Sequence, residues 1–418
     1  MRETSRDYRH PHRPRAQAWI ERGLAVVAGA PPALEPQVLV DEARRATGLG
    51  RFADDGFREP LERLCLALHE EARLTWTGWS LTRARLVGAL ISQLRVADWF
   101  ERHPEIADLD VPVPLFVTGL QRTGTTLLHR LLAADPARRA LASWEALSPA
   151  PPPPRPWHRL LGERDPRQLT AAAAERTLSL LAPDFFAVHP VEADAPEEEV
   201  VLMDHTFVSQ VSEASYHVPS FASWVVDQDH RVAYRHLRRC LQVLRFQRPE
   251  APAHWVLKSP AHLEQLDALL DVFPDARIIQ THRDPRKTVA SFCSMVAHGR
   301  GVFSDSVDPL EIGRHWLAKV HRMVTRASQS RQRRPEVFFD VAYLDLVADP
   351  VAKAAEVAAF AGRPLSEEAK TQLAAWHGQN PQHRFGRHVY TASDFGLSDD
   401  GIANTLADYV KEYGIESE

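Results

Sequence analysis

Apolar and polar positions follow two rhythms along the chain. From Leu34 to about Arg102, the segments "VLVDEARRATGL", "REPLERLCLALHEEARL" and "LTRARLVGALISQLRVADWFERHP" repeat apolar residues every three or four positions. That spacing predicts amphipathic helices. Beyond them come short apolar runs: "VPVPLFVTG", "HWVLKSP" (His254–Pro260), "ARIIQTHR" (Ala276–Arg283) and "VFFDVAYLDLVADP". Each is followed by a helical pattern, for example "HLEQLDALLDVFP", "DPRKTVASFCSMV" and "VAKAAEVAAFAG". Strands alternating with helices predict a parallel sheet covered on both faces. Sites in such folds lie outside the carboxyl ends of the strands.

The interval from about Asp165 to Pro249 is helical again, with "DFFAVHP", "EEEVVLMDHTFVSQ", "YHVPSFASWVV" and "YRHLRRCLQVLRFQ". It reads either as a lid over a site or as a structural excursion. Its Phe185, Phe186, Phe207, Tyr216, Phe221 and Trp224 lean towards an apolar pocket, although aromatic residues at helical spacing also build cores. The proline run in "LSPAPPPPRPWHRL" (Leu147–Leu160) lacks amide donors and prefers extended geometry, so it predicts a connector. The expected organisation is a helical N-terminal layer over 1–110 and an α/β domain over 111–418, with a helical insertion at about 150–250. No internal repeat is present.

The first strand carries the strongest chemical signal. In "LFVTGLQRTGTTLLHRLL" (Leu115–Leu132) an apolar run stops at Gly119, passes through a glycine turn and restarts as a helix. This is the layout of a P-loop-like phosphate cradle, where backbone N–H groups at a helix N-terminus face an anion. Gly119 and Gly124 fit the nucleotide-triphosphate pattern and Thr126 fills its hydroxyl position, but Thr125 stands where that pattern has lysine. The cation inside the loop is Arg122. No apolar strand ending in an acidic metal ligand stands out, which weakens a magnesium-triphosphate reading.

Composition narrows the function. With 418 residues, 44% of them apolar, the chain can bury a large core, and a net charge of −5 without long like-charged blocks disfavours a nucleic-acid partner. No stretch approaches a membrane span and no signal-type apolar region follows the basic N-terminus, so a cytoplasmic location is expected. Cys65, Cys240 and Cys293 lie far apart, suggesting neither a disulfide framework nor a zinc site.

Two further constellations lie at strand ends. In "RIIQTHRDPRKTVASF", Arg283 follows a strand and Ser291 stands eight residues later in the next helix; together they offer a fork and a hydroxyl for a second phosphate. In "WVLKSPAH", Lys258 ends a strand beside Ser259 and near His262. Each residue also has an ordinary reading, as a salt-bridged surface arginine and a snorkelling lysine. Two anion sites in one pocket point to a nucleotide phosphorylated at two places.

These residues resemble those of sulfotransferases that use 3′-phosphoadenosine 5′-phosphosulfate (PAPS), most closely the bacterial branch grouped with the tyrosylprotein sulfotransferases. The resemblance implies that Arg122, Thr123, Gly124, Thr125 and Thr126 bind the 5′-phosphosulfate and that Arg283 and Ser291 bind the 3′-phosphate. Lys258, twenty-five residues before Arg283, matches a strand lysine of that branch, and "YLDLVADP" (Tyr343–Pro350) matches another common stretch. The family requires no metal, which accounts for an arginine replacing the usual lysine.

The resemblance further implies in-line sulfuryl transfer to the hydroxyl of a small-molecule or lipid acceptor, with Arg122 and Lys258 stabilising charge. For the base it points to Glu145, twenty-three residues after Arg122, two more than the family spacing; His205 and the cluster Glu197, Glu198 and Glu199 stay open. In "QHRFGRHVYTASDFGL", Arg384 and Arg387 are candidates for a basic loop closing on the 3′-phosphate. The competing readings are a kinase-like phosphotransferase with a degenerate loop and a non-catalytic nucleotide-binding interaction protein. Neither acceptor identity nor oligomeric state is encoded legibly.

Overall fold

The computed structural model describes residues 4–112, 114–153, 164–380 and 388–418. Five strands form one fully parallel sheet: β1 (Leu115–Gly119), β2 (Arg139–Ala140), β3 (Trp255–Lys258), β4 (Arg277–His282) and β5 (Phe338–Ala342), in the order β2-β3-β1-β4-β5. The phosphate-loop strand is therefore central, with Val117 level with Lys258 on one side and Ile279 on the other. That register brings the carboxyl ends of β1, β3 and β4 together at one edge. The three predicted chemical segments meet there.

Alternation along β1 explains how both faces are covered. Phe116 points into a large apolar cluster with Leu257 and Ile278, which the N-terminal helices enter through Leu61, Leu64, Leu90 and Leu94, and the helix Arg231–Gln247 through Leu237 and Leu241. Leu115 and Val117 point the other way, onto Leu128, Leu131 and Leu132 of the helix Thr125–Ala133 and Val357 of the helix Pro350–Phe360. The N-terminal helices thus share one core with the sheet. The longest helices start on predictable caps: Thr75 accepts from the Gly78 N–H before Trp76–Arg102, and Asp308 from the Leu310 N–H before Pro309–Arg333.

The expected insertion is realised as the helices Pro166–Leu181, Pro183–Val188, Val200–Met203, Val211–Ser215, Pro219–Val225 and Arg231–Gln247. Phe207, Tyr216 and Phe221 within it are buried core residues, whereas Phe185, Phe186 and Trp224 remain partly accessible. The expected aromatic pocket is thereby reduced to three of its six residues. Residues 154–160 of the proline-rich connector, and Arg384 and Arg387, lie outside the described residues.

Candidate active site

Local geometry makes the loop after β1 a cradle. Gly119 has φ 146°, and a Cβ there would lie 2.6 Å from the Thr281 carbonyl oxygen, so only glycine lets the loop turn against β4. Gly124, at φ 90°, precedes the helix Thr125–Ala133, whose N-terminus no side chain among the described residues caps. Its first N–H groups therefore face outward, as an anion site requires. A side chain on Gly124 would strike Leu346 and Tyr343, both from the "YLDL" stretch, which places that motif against the loop.

Thr123 departs from its expected role. Its hydroxyl donates to the Leu120 carbonyl at 2.6 Å and pairs with the Thr281 hydroxyl at 2.5 Å, and the side chain is fully buried. It ties the loop to β4 rather than facing a ligand. Thr125 is buried and Thr126 is exposed on the first turn.

Arg122 adopts the left-handed region at φ 71°, a conformation that costs a non-glycine residue about 1–3 kcal/mol and persists only when surroundings impose it. Its side chain is solvent-accessible and, among the described residues, has no ion pair or hydrogen bond. Yet burial among surrounding protein lowers its pKa, assisted by the positive charge of Arg283. A side chain both accessible and crowded lies in a concavity.

Arg283 holds that concavity from β4. Its Nη1 donates to the Arg122 carbonyl at 3.1 Å, and its guanidinium lies 3.9 Å from the centroid of the Tyr343 ring. The other edge of the fork receives the carboxylate of Glu418. Burial depresses Arg283, but Glu418, Tyr343 and Tyr390 outweigh it and leave the pKa above its ordinary value. Ser291 lies in the same helix that Asp284 caps, 2% exposed.

Lys258, on the other side of β1, is 4% exposed and ion-paired to Glu198, whose second oxygen accepts from the Ser259 hydroxyl at 3.1 Å. Burial raises Glu198, yet Lys258, His189 and Ser259 more than compensate and hold it below its ordinary value. Its neighbour Glu199 is wholly buried, accepts from the Lys258 backbone N–H at 2.7 Å and pairs with His262, which meets the Tyr234 hydroxyl at 2.8 Å. Glu198 and Glu199 are thus committed to Lys258, Ser259 and His262. They fix the lysine strand.

The sulfotransferase family model matches residues 114–367. Among solved structures, sulfotransferase STF1 from Mycobacterium tuberculosis H37Rv matches with a TM-score of 0.78 at 34% identity, over 90% of this chain and 99% of that one. Sulfotransferase STF9 from Mycobacterium avium matches at 0.81 and 30% identity, over 91% and 97%. The chain belongs to the sulfotransferase family. A curated relative, the omega-hydroxy-beta-dihydromenaquinone-9 sulfotransferase Stf3 of Mycobacterium tuberculosis (strain CDC 1551 / Oshkosh), is 26% identical over 249 residues, 57% of this chain. The match spans 59% of that relative's length.

In this sulfotransferase the two expected bases have other partners. Glu145 is 3% exposed; one oxygen accepts from Arg139 at 2.9 Å and the other from the Ala142 N–H at 3.2 Å, at the start of its own short helix. Arg139 in turn stacks 4.4 Å from the Trp255 ring and bonds the Leu244 carbonyl, so Glu145 closes a structural joint beside β2. His205 is 5% exposed and turns towards His236, with Nδ1 3.4 Å from Nε2. In this structure Glu145 is committed to that joint and His205 faces His236, so neither presents an accessible group.

The residue missed in the sequence is His189, at the end of the helix Pro183–Val188. It is half-buried, and burial depresses its imidazole; Glu197 and Glu198 oppose that shift, while Lys258 and Arg122 reinforce it. His189 therefore lies within electrostatic reach of both Lys258 and Arg122. Across the cleft, His388 is pushed down to about 3, mainly by burial and then by Arg122, and its Nε2 lies 2.7 Å from the Ser294 hydroxyl. The segment following residues 381–387 thus borders Arg122.

Proposed function

We propose that this protein transfers the sulfuryl group of PAPS to a hydroxyl of an apolar, lipid-like acceptor. The observation that carries the reading is the pairing of Arg122 and Arg283. One is an accessible guanidinium in a phosphate loop with no partner among the described residues; the other is a fork bonded to that loop's backbone and occupied by a carboxylate. Two cationic subsites joined in this way fit an adenosine carrying a 3′-phosphate and a 5′-phosphosulfate.

In the proposed reaction Arg283, with Ser291, binds the 3′-phosphate. The uncapped N–H groups after Gly124, with Thr125 and Thr126, bind the 5′-phosphate. The acceptor oxygen forms a bond to sulfur as the bond from sulfur to the bridging phosphate oxygen breaks, releasing 3′,5′-adenosine bisphosphate. Arg122 and Lys258 face the charge that develops on the bridging and sulfuryl oxygens, where preorganised cations are most effective. Glu198 holds the Lys258 ammonium in place.

We assign the acceptor proton to His189. Glu198 is committed to Lys258 and Ser259 and held ionised, which makes it an anchor. A depressed, neutral imidazole is ready to accept a proton, and Glu197 and Glu198 stabilise the imidazolium that results. Phe185 and Phe186 precede His189 on one short helix, and Phe185 comes within 5.9 Å of its ring. An apolar acceptor suits that neighbourhood, as does a relative named for a menaquinone-derived substrate.

Among the described residues no helix is long and apolar enough to cross a membrane. Such an acceptor would be presented to the cleft by extraction or at a surface. The test is calorimetry without magnesium, comparing 3′,5′-adenosine bisphosphate with ADP and ATP. Selective binding of the bisphosphate supports the reading, whereas preference for magnesium-ATP replaces it with a phosphotransferase.

A further inference from the structure

His205, having no place in the cleft, belongs to a different cluster. It lies on the short turn Asp204–Thr206, opposite His236 and Cys240 on the helix Arg231–Gln247. The spacing of those two, four residues, puts them on one helical face a single turn apart. One donor atom from each of the three residues lies within 4.8 Å of the others. His236 Nε2 is the hub, 3.4 Å from His205 Nδ1 and 3.4 Å from Cys240 Sγ.

Those separations match the edges of a metal coordination shell. Zinc bonds of ~2.0–2.1 Å to nitrogen and ~2.3 Å to sulfur, at tetrahedral angles, set donor atoms ~3.4 Å (N to N) and ~3.6 Å (N to S) apart. Two of the three edges thus already have the required length. The third needs to close by no more than about 1.2 Å, which a rotation of the Cys240 side chain can supply.

We propose that His205, His236 and Cys240 form a binding site for a zinc-class divalent cation, with a fourth position open to water. The ligand set is three-sided and borderline-soft, which selects zinc or cobalt over magnesium or calcium. Cys240 is buried and its thiol is raised, so metal binding breaks its S–H bond, forms the sulfur–metal bond and releases the proton to solvent. The charges facing the cluster offset one another, Arg239 acting against a proton on His236 and Asp54 for it. Arg239 is itself drawn aside, 4.0 Å from the Phe100 ring.

The bound ion would tie the Asp204–Thr206 turn to the long helix. Gln93 already fixes the His205 carbonyl at 2.5 Å from the neighbouring helix Trp76–Arg102. Because Glu198 and Glu199 directly precede this turn's helix, Val200–Met203, the ion would hold the base of the segment that anchors Lys258. Its role is structural, separate from the sulfuryl transfer proposed above.

The experiment is a cobalt(II) titration of the chelator-treated full chain, read by absorbance. One cobalt per chain with a thiolate-to-cobalt charge-transfer band is expected, lost in Cys240→Ser and weakened at least tenfold in His236→Ala. No such band in the folded wild-type protein, or a band that survives Cys240→Ser, overturns the proposal. If the variants fail to fold, zinc-edge X-ray absorption on the wild-type protein decides: one sulfur and two imidazoles around zinc support the site, and a shell without sulfur refutes it. Neither result bears on nucleotide binding, so the site fails or stands independently of the sulfotransferase reading.

Discussion

The carboxylate of Glu418 lies in the fork of Arg283, with contacts of 2.9, 3.1 and 2.8 Å. A carboxylate presents the same oxygen spacing to a guanidinium as one edge of a phosphate does. If Arg283 binds the 3′-phosphate as proposed, Glu418 competes with that phosphate for it. Because the pair is partly solvated, its removal gains little: Glu418→Gln should tighten 3′,5′-adenosine bisphosphate about two- to fivefold. Arg283→Ala should weaken the same ligand at least tenfold, measured by calorimetry, and unchanged affinity in Arg283→Ala would remove the donor assignment.

Glu145 and the base role can be separated by stability. Taking one partner from a buried ion pair leaves the other charge uncompensated, at a cost of about 3–5 kcal/mol. Glu145→Ala should lower the melting temperature markedly while the folded fraction retains turnover. A stable Glu145→Ala protein with no activity would restore Glu145 as the base.

Lys258→Ala removes the cation that the proposed reaction sets against developing charge. Turnover should fall by about two to three orders of magnitude while bisphosphate affinity changes by less than threefold, because the lysine acts on the transition state. Equal losses in binding and turnover would make Lys258 a binding residue.

The pH dependence tests His189. The imidazole must be neutral to take the acceptor proton, and its pKa is depressed, so activity is present above that lowered value and lost as the pH falls through it. The acid limb of kcat/KM should therefore lie below the ordinary histidine value of about 6.5. His189→Gln should abolish that limb along with most of the turnover. A limb that persists unchanged in His189→Gln would move the base elsewhere.

The strands β1, β3, β4 and β5 were legible because uninterrupted apolar runs between turns have few other uses in a parallel sheet. The two-residue β2 was not: Arg139 and Ala140 carry no apolar signature, and their strand exists only because it pairs with Trp255 and Val256. The two arginines and Lys258 were legible for a similar reason, since a residue just past a strand end must emerge at the site edge of the sheet. Direction off a helix or turn is another matter. Counting residues from Arg122 reached Glu145, but only packing shows that Arg139 claims its carboxylate. His189 carried no motif, and "DFFAVHP" offered at most a histidine between an aromatic pair and a proline. The fork's present occupant, Glu418, is 135 residues from Arg283 and has no local signal at all.

If Arg283 holds the 3′-phosphate as proposed, its hydrogen bond to the Arg122 carbonyl couples recognition of the two ends of the donor. A nucleotide without a 3′-phosphate, such as adenosine 5′-phosphosulfate, leaves Arg283 to Glu418 and forgoes one anchor of the loop that must hold its sulfuryl group. Selection against the precursor of PAPS is then exerted at the reacting end as well as at the ribose, and a single arginine serves as the checkpoint for both.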